Sequence, residues 1–324
     1  MPVRFTSPSL GGQREAFFEA GDWQVGVSYR HLWADTWFVG TDVNEAAAPG
    51  GRPLYLNFNS LDLSVTYGLT DRLALTLTVP FSQGTHSRFY SDTARHRVQA
   101  GGLGDVSVVG ATWLWDPATH LKGNASLGLG VKAPTGNNEA TANNYFPNDS
   151  VGRQFVDQSI QLGDGGWGIV LQALAYRALA PRTSVYFVGW YLMSLKEHTD
   201  VPAPASPLLA GVKLAVPDVY SARGGLAFDV LPTARVSVSL GLRIDGIPMG
   251  DIVGGEDKSF RRPGYTLYGE PGITYRRGGN ELTLSMPRRL HQNFKRSVID
   301  RERNFAGGGD LADYLIFFGY NRRF

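Results

Sequence analysis

"SLDLSVTYGLTDRLALTLTVPF" (residues 60–81) holds two alternating stretches joined by a short polar turn. Leu61, Leu63, Val65, Tyr67 and Leu69 fall on one face of the first stretch, with Ser60, Asp62, Ser64, Thr66 and Gly68 on the other. After "TDR", Leu73, Leu75, Leu77, Val79 and Phe81 oppose Ala74, Thr76, Thr78 and Pro80. A period of two on both sides of a tight turn reads as an antiparallel hairpin. The polar face is the unusual part. A soluble sheet turns its polar face to water and carries Lys, Glu and Arg there. Here that face is mostly Ser, Thr, Gly and Ala, which suits a narrow wet lumen, while the unbroken Leu/Val/aromatic face suits lipid.

The pattern recurs outward in both directions. Upstream lies "WQVGVSYRHLW" (23–33); downstream come 105–115, 124–133, 167–179, 184–193, 220–230, 235–245, 265–276, 281–286 and 312–324. With the central pair these make twelve strand candidates. The stretch 105–115 slips once near Val109, which reads as a β-bulge, and the facing of 167–193 is ambiguous. The gaps alternate strictly. Long ones fall near 34–53, 83–102, 135–165, 194–218, 246–264 and 287–310; short ones fall near 69–72, 116–121, 180–183, 231–234 and 277–280. Turns at one end and loops at the other, with strands near the ~9–11 residues that cross a bilayer at a tilt, describe a barrel. The expected fold is therefore all-β: a 12-stranded antiparallel up-and-down transmembrane β-barrel over 22–324, with short periplasmic turns, long extracellular loops and an N-terminal periplasmic segment over 1–21. A soluble up-and-down barrel or sandwich is the rival reading.

Composition agrees. The 324 residues include 40 Gly, 14 Tyr, 17 Phe and 7 Trp but no Cys, and charged residues are 19%, below the roughly 25% of ordinary soluble domains. A net charge of +2 argues against nucleic acid as a partner. The missing Cys excludes disulfides, thiolate catalysis and Cys-ligated metal. No apolar run reaches the ~18 residues of a membrane helix. The opening "MPVRFTSPSLGGQREAFF" lacks the apolar core of a signal peptide, so a removed leader is expected.

The chain ends "LIFFGYNRRF" (315–324). Tyr314, Ile316, Phe318, Tyr320 and the terminal Phe324 share a face, in the pattern of the C-terminal signal read by the outer-membrane assembly machinery; Arg322 departs from it. That ending places the protein in the bacterial outer membrane, among lipid and lipopolysaccharide.

The charged residues that break the small polar face are Arg30, Asp62, Lys132, Arg223, Asp229, Arg243, Asp245, Glu270 and Arg276. They are the candidate lumen lining, either a cross-strand packing network or a selectivity lining. "GLGD" (102–105) lacks the third glycine of a dinucleotide fingerprint; it reads as a bend at which Asp105 bonds local backbone. "KAPTGNN" (132–138) reads as a strand-ending turn. The six histidines show no metal-ligand spacing and read as solvated loop or interface residues. "THSR" (85–88) sets His86 beside Ser87, but neighbours on a strand face opposite ways, so no catalytic pair is read. The basic stretches 92–97 and 288–303 face lipopolysaccharide phosphates or solvent, and "WADTWF" (33–38) and "WLW" (113–115) fit interfacial girdles.

"SYRHLWADTWFVG" (28–40), "VTYGLTDRLALTLTVPF" (65–81), "GLGDVSVVGATWLW" (102–115), "LGLGVKAPTGNN" (127–138) and "GDLADYLIFFGYNRRF" (309–324) together resemble a family of bacterial outer-membrane barrels. The family is named for a phenol meta-cleavage pathway and described as transporter-like. The resemblance implies an outer-membrane barrel associated with aromatic catabolism. The expectation is passive passage of small, aromatic or apolar solutes, without enzymatic activity, cofactor or metal. A barrel that conducts nothing and docks a protein partner through its loops or N-terminal segment is the alternative, and a membrane enzyme the third.

Overall fold

The computed structural model describes residues 17–44, 54–204, 206–233, 235–253 and 258–324. Most of the expected N-terminal segment (1–16) and parts of the loops near 45–53 and 254–257 lie outside the described residues. The strands are β1 (Trp23–Ala34), β2 (Tyr55–Gly68), β3 (Leu73–Phe89), β4 (Arg95–Leu103 and Ser107–Trp113) and β5 (Gly123–Lys132). They continue as β6 (Gly168–Ala180), β7 (Thr183–Ser194), β8 (Val219–Leu231), β9 (Val236–Ile247), β10 (Gly264–Arg277), β11 (Asn280–Ser285 and Arg288–Phe294) and β12 (Tyr314–Arg323). Each pairs antiparallel with the next, and β12 returns to β1 over ten residue pairs, from Gln24–Arg323 to Trp33–Tyr314. The sheet is a closed twelve-stranded barrel.

Two strands are interrupted, for different reasons. In β4 the register to β3 changes from Phe81–Leu103 to Thr78–Ser107, so one extra residue is accommodated at 104–106. This is the bulge expected near Val109, displaced toward the loop end; Ser107–Trp113 alternates cleanly and turns Val109 inward. In β11 the break is Pro287, which has no N–H to give the ladder. Register to β12 runs through it unchanged, from Ser285–Phe317 to Arg288–Tyr314. Two expected loops are therefore largely strand. The stretch 83–102 is a projecting hairpin, and 288–294 extends β11, its periodicity hidden by a second irregularity between Arg289 and His291. Loop 287–310 keeps one short helix, α1 (Val298–Glu302), started by a capping box in which Ser297 and Asp300 bond each other's backbone N–H.

The outward face carries the apolar band. Along the ladders, Tyr29, Leu61, Phe81 and Leu103 form its last row on β1–β4, and the next row is His31, Asn59, Gln83 and Gly101. On β12, Tyr314, Ile316, Phe318, Tyr320 and Phe324 all point outward, alternating with the inward Leu315, Phe317, Gly319, Asn321 and Arg323.

Beyond the band the barrel end is filled. Leu32, Leu56, Phe58, Val98 and Ala100 of the wall meet Val156, Ile160 and Leu162 of the 133–167 loop, with Ala312 and Leu315 closing the cluster. Ile160 seats against Gly84, where a Cβ would lie 2.6 Å from its own Cβ, so only glycine allows this approach. Burying side chains such as Phe58 and Ile160 contributes about 1.5–3 kcal/mol each. Further clips join the loops: Arg262 to Asp157 at 3.2 Å, Arg261 to Asp251 at 2.6 Å, and Arg289 to Asp313.

His86 belongs to this cap. It is buried on the inward side of β3, contrary to the expectation of a solvated histidine. Burial holds it neutral by lowering its pKa from 6.5 to about 4. Burial, and then the Asp35 carboxyl, raise Asp313 to about 6, and burial raises Asp310 well above the carboxylate range. The signs oppose. A depressed histidine loses stability as pH falls from 6.5 toward 4, whereas raised carboxyls gain it as pH falls through 6. Limited proteolysis of the loops should separate the two effects. His86→Gln should become more resistant as pH falls from about 6 to about 4, and the Asp310→Asn/Asp313→Asn variant less resistant.

Candidate functional site: the lumen

Below the cap lies a cavity of about 440 Å³ that reaches the periplasmic rim, where Gly278, Gly279, Arg235 and Arg323 line it. Its two sides differ. On β2, β3 and β5 the inward residues are those the alternation anticipated, among them Ser60, Asp62, Thr66, Thr76 and Ser126, and Ser107 of β4 joins them. On β6 and β7 the inward pairs are Val170–Leu192, Gln172–Trp190, Leu174–Val188 and Tyr176–Tyr186. With Val109 and Trp113 of β4, these make one side of the lumen apolar and aromatic. This settles the facing of 167–193. Ile169, Leu171, Val185 and Phe187 face outward, so apolar side chains occupy both faces and no polarity contrast marks the alternation. Trp113 is likewise a lumen residue rather than part of a girdle, while Trp115 stays exposed at the turn.

All nine sequence-selected charges lie on the inward face; eight are buried and Asp229 is half-buried. Arg30, Asp62, Lys132 and Arg276 line the cavity, and most of the nine are held by ion pairs or hydroxyl donors. Arg223 pairs with Glu270 at 3.1 Å, and Ser285 donates to the same carboxylate. The Arg243 Nε donates to both Asp245 oxygens at 2.9 Å, Ser221 donates to Asp245 at 2.6 Å, and the guanidinium lies over Phe317. Ser237 donates to Asp229 at 2.6 Å, and Arg276 pairs with Glu281 at 2.7 Å. Arg30 and Asp62 occupy diagonal positions on β1 and β2; Ser60 donates to Asp62, and Arg30 lies over Phe58.

Lys132 has a different task. Its Nζ donates to Asp105 at 3.2 Å and to the Gly166 carbonyl at 2.7 Å, and it pairs with Asp164. Asp105 in turn accepts the backbone N–H groups of Gly136 (2.9 Å) and Asp164 (3.1 Å). Asp105 thus bonds backbone 31 and 59 residues away, beyond the local chain expected of "GLGD". The two strands of the loop cross at glycines: a Cβ on Gly163 would sit 2.2 Å from the Gly136 carbonyl oxygen. "GLGD", "KAPTG" and 163–166 are thus three parts of one buried latch that holds the 133–167 loop inside the barrel above the cavity. Asp164 sits in a loop and Glu281 at a strand end, where alternation carries no information.

At the opposite mouth, the chain leading into β1 crosses the opening. Phe17 packs edge-on against Trp113 at 4.7 Å, Phe18 lines the cavity under the Arg323 guanidinium, and Arg323 pairs with Asp22. Among the described residues no group of three or more His, Asp or Glu is placed to hold a metal ion.

Among solved structures the chain is similar to the COG4313 outer membrane channel from Pseudomonas putida F1, with a TM-score of 0.58 and 18% identity over 95% of this chain and 97% of that one. It also matches the translocator domain of the autotransporter NalP from Neisseria meningitidis (TM-score 0.48, 10% identity, 95% and 90% covered). A third match is the CymD monoaromatic hydrocarbon channel (TM-score 0.45, 9% identity, 95% and 89% covered). The first supports the outer-membrane barrel fold; the other two score too low to bear on the argument. No family model matches the chain, and no curated protein matches it.

Removing the latch cation isolates its role. Lys132→Met leaves Asp105 and Asp164 buried without their cation, at a cost of about 3–5 kcal/mol. The expected outcome is release of the loop from a barrel that still folds: new protease cleavage within 133–167 and higher single-channel conductance in planar bilayers.

Proposed function

We propose that the protein is an outer-membrane channel for passive passage of small apolar or aromatic solutes. One observation carries this reading: the lumen has an apolar side built from Val109, Trp113, Leu174, Val188, Trp190 and Leu192, facing a side of small hydroxyls. A water-filled pore for ions gains nothing from tryptophan and leucine in its lumen, whereas a solute with an aromatic ring is stabilised there by burial of its surface. The resemblance of its sequence to barrels associated with aromatic catabolism supports the same solute class, and the alternating aromatic C-terminal strand supports outer-membrane residence.

The filled extracellular end favours a second reading, a barrel that conducts nothing in this state. Flux into reconstituted vesicles distinguishes the two. Under the channel reading, Leu174→Asn with Trp190→Gln lowers uptake of a neutral aromatic solute about tenfold, the scale of losing one or two apolar contacts, and leaves leakage of small sugars unchanged. Under the second reading, wild-type vesicles take up neither.

The paired charges are assigned to holding the wall together rather than to selectivity. Arg243→Ala and Asp245→Ala should each lower thermal stability, and the double variant should recover much of the loss, because each single change strands a buried partner. A change in ion selectivity as large as the stability change would instead mark them as a selectivity lining.

A further inference from the structure

The outward surface above the apolar band is uneven around the barrel. On β1–β4 the last apolar row, Tyr29–Leu61–Phe81–Leu103, gives way to side chains that donate hydrogen bonds. The strands do not stop there. From Phe81 to Phe89 the wall continues for eight residues, roughly 25 Å along the strand at ~3.3 Å per residue. At the usual tilt of ~35–45° it stands about 20 Å above the hydrocarbon. That height is occupied by the headgroups and inner sugars of the outer leaflet.

The outward residues of this projecting sheet are Tyr55, Asn57 and Asn59 on β2, Gln83, Thr85, Ser87 and Phe89 on β3, and Arg95, Arg97 and Gln99 on β4. None is acidic, and two are arginines two positions apart on one strand, hence on one face. Arg97 sits opposite Ser87, which sits opposite Tyr55, so the three share a row. The Arg95 guanidinium lies 4.5 Å from both the Tyr55 and Phe89 rings and donates to the Ser87 carbonyl at 3.2 Å, which fixes its direction. Trp33 stacks on Tyr55 and continues the aromatic row toward β1. The acid nearest in sequence, Asp92, is at the hairpin tip and bonded to His96, whose ring stacks at 3.6 Å on Tyr145 on the inward side.

A held guanidinium, an exposed one beside it, flanking hydroxyl and amide donors, no carboxylate among the described outward residues of β2–β4 and an aromatic row beneath form a surface for a phosphorylated sugar carried on acyl chains. We propose that the outward face of the β2–β4 projection binds the phosphorylated glycolipid of the outer leaflet, lipopolysaccharide. Arg95 and Arg97 take its phosphate oxygens, while Phe81 and Leu103 below them meet its acyl chains. Arginine suits this contact because its planar fork donates two parallel hydrogen bonds to one phosphate.

The test uses the full chain purified in detergent, with bisphosphorylated lipid A, the same lipid A after enzymatic dephosphorylation, and phosphatidylglycerol as probes, read by native mass spectrometry. Wild type is expected to retain bisphosphorylated lipid A, and Arg97→Gln to bind it about tenfold more weakly, the scale of one charge-assisted contact. Arg95→Gln/Arg97→Gln should bind it no better than the dephosphorylated form. Heat-modifiable gel mobility confirms that each variant is a folded barrel, and the single variant serves if the double one is not. Equal binding by wild type and Arg97→Gln overturns the assignment. So does equal retention of phosphatidylglycerol and lipid A by wild type.

Discussion

Every backbone N–H and C=O of a sheet that crosses lipid must find its partner within the sheet, because hydrocarbon offers none. The pairing of β12 with β1 meets that requirement, and the remaining architecture follows from it. Closure makes inside and outside absolute, so each strand has one face for lipid and one for the lumen. With an even number of antiparallel strands it also brings the start of β1 and the end of β12 to the same rim. There Phe324 ends the last strand on the outside and Arg323 reaches inward to Asp22 at the start of the first.

A closed barrel of this size still has an interior to fill, and the chain fills its two halves differently. At the extracellular end the solution is a protein core: apolar loop residues packed on Phe58, Leu56 and Val98. Nearer the periplasm the lumen stays open as a cavity. The boundary between the two is held by Lys132, a buried cation compensated by two carboxylates and a carbonyl. Such a cluster is a poor source of net stability compared with apolar packing, yet it is strict about geometry. It keeps the loop from 133 to 167 in one place above the cavity.

How far the alternation could be read depended on contrast between faces. Where the lumen side is Ser, Thr and Gly, as in β1, β5, β9 and the membrane-crossing parts of β2 and β3, the facing is legible, and the inward position of Arg30, Asp62, Lys132 and Arg243 follows. In β6 and β7 the lumen side is Val170, Leu174, Val188 and Trp190, and the pattern vanished although the strands did not. The aromatic side of the cavity was hidden for the same reason that makes it informative about solute. The upper part of β3 and the end of β11 read as loop because polar residues replace the apolar set once a strand rises above lipid, and because Pro287 and a bulge break the period.

The sequence by itself determined the barrel: strand count, strict alternation of turns and loops, and an apolar face that only lipid matches, because these rest on local periodicity. It also determined the aromatic terminus, which is a contiguous pattern. Only the tertiary structure decided which partners the charges take. Lys132, Asp105 and Asp164 are 27 and 32 residues apart in the chain, and Arg262 reaches Asp157 across 105. Electrostatic partners are chosen by distance in space, and in a barrel that distance is set by closure and loop infolding, neither of which has a period that a single sequence displays.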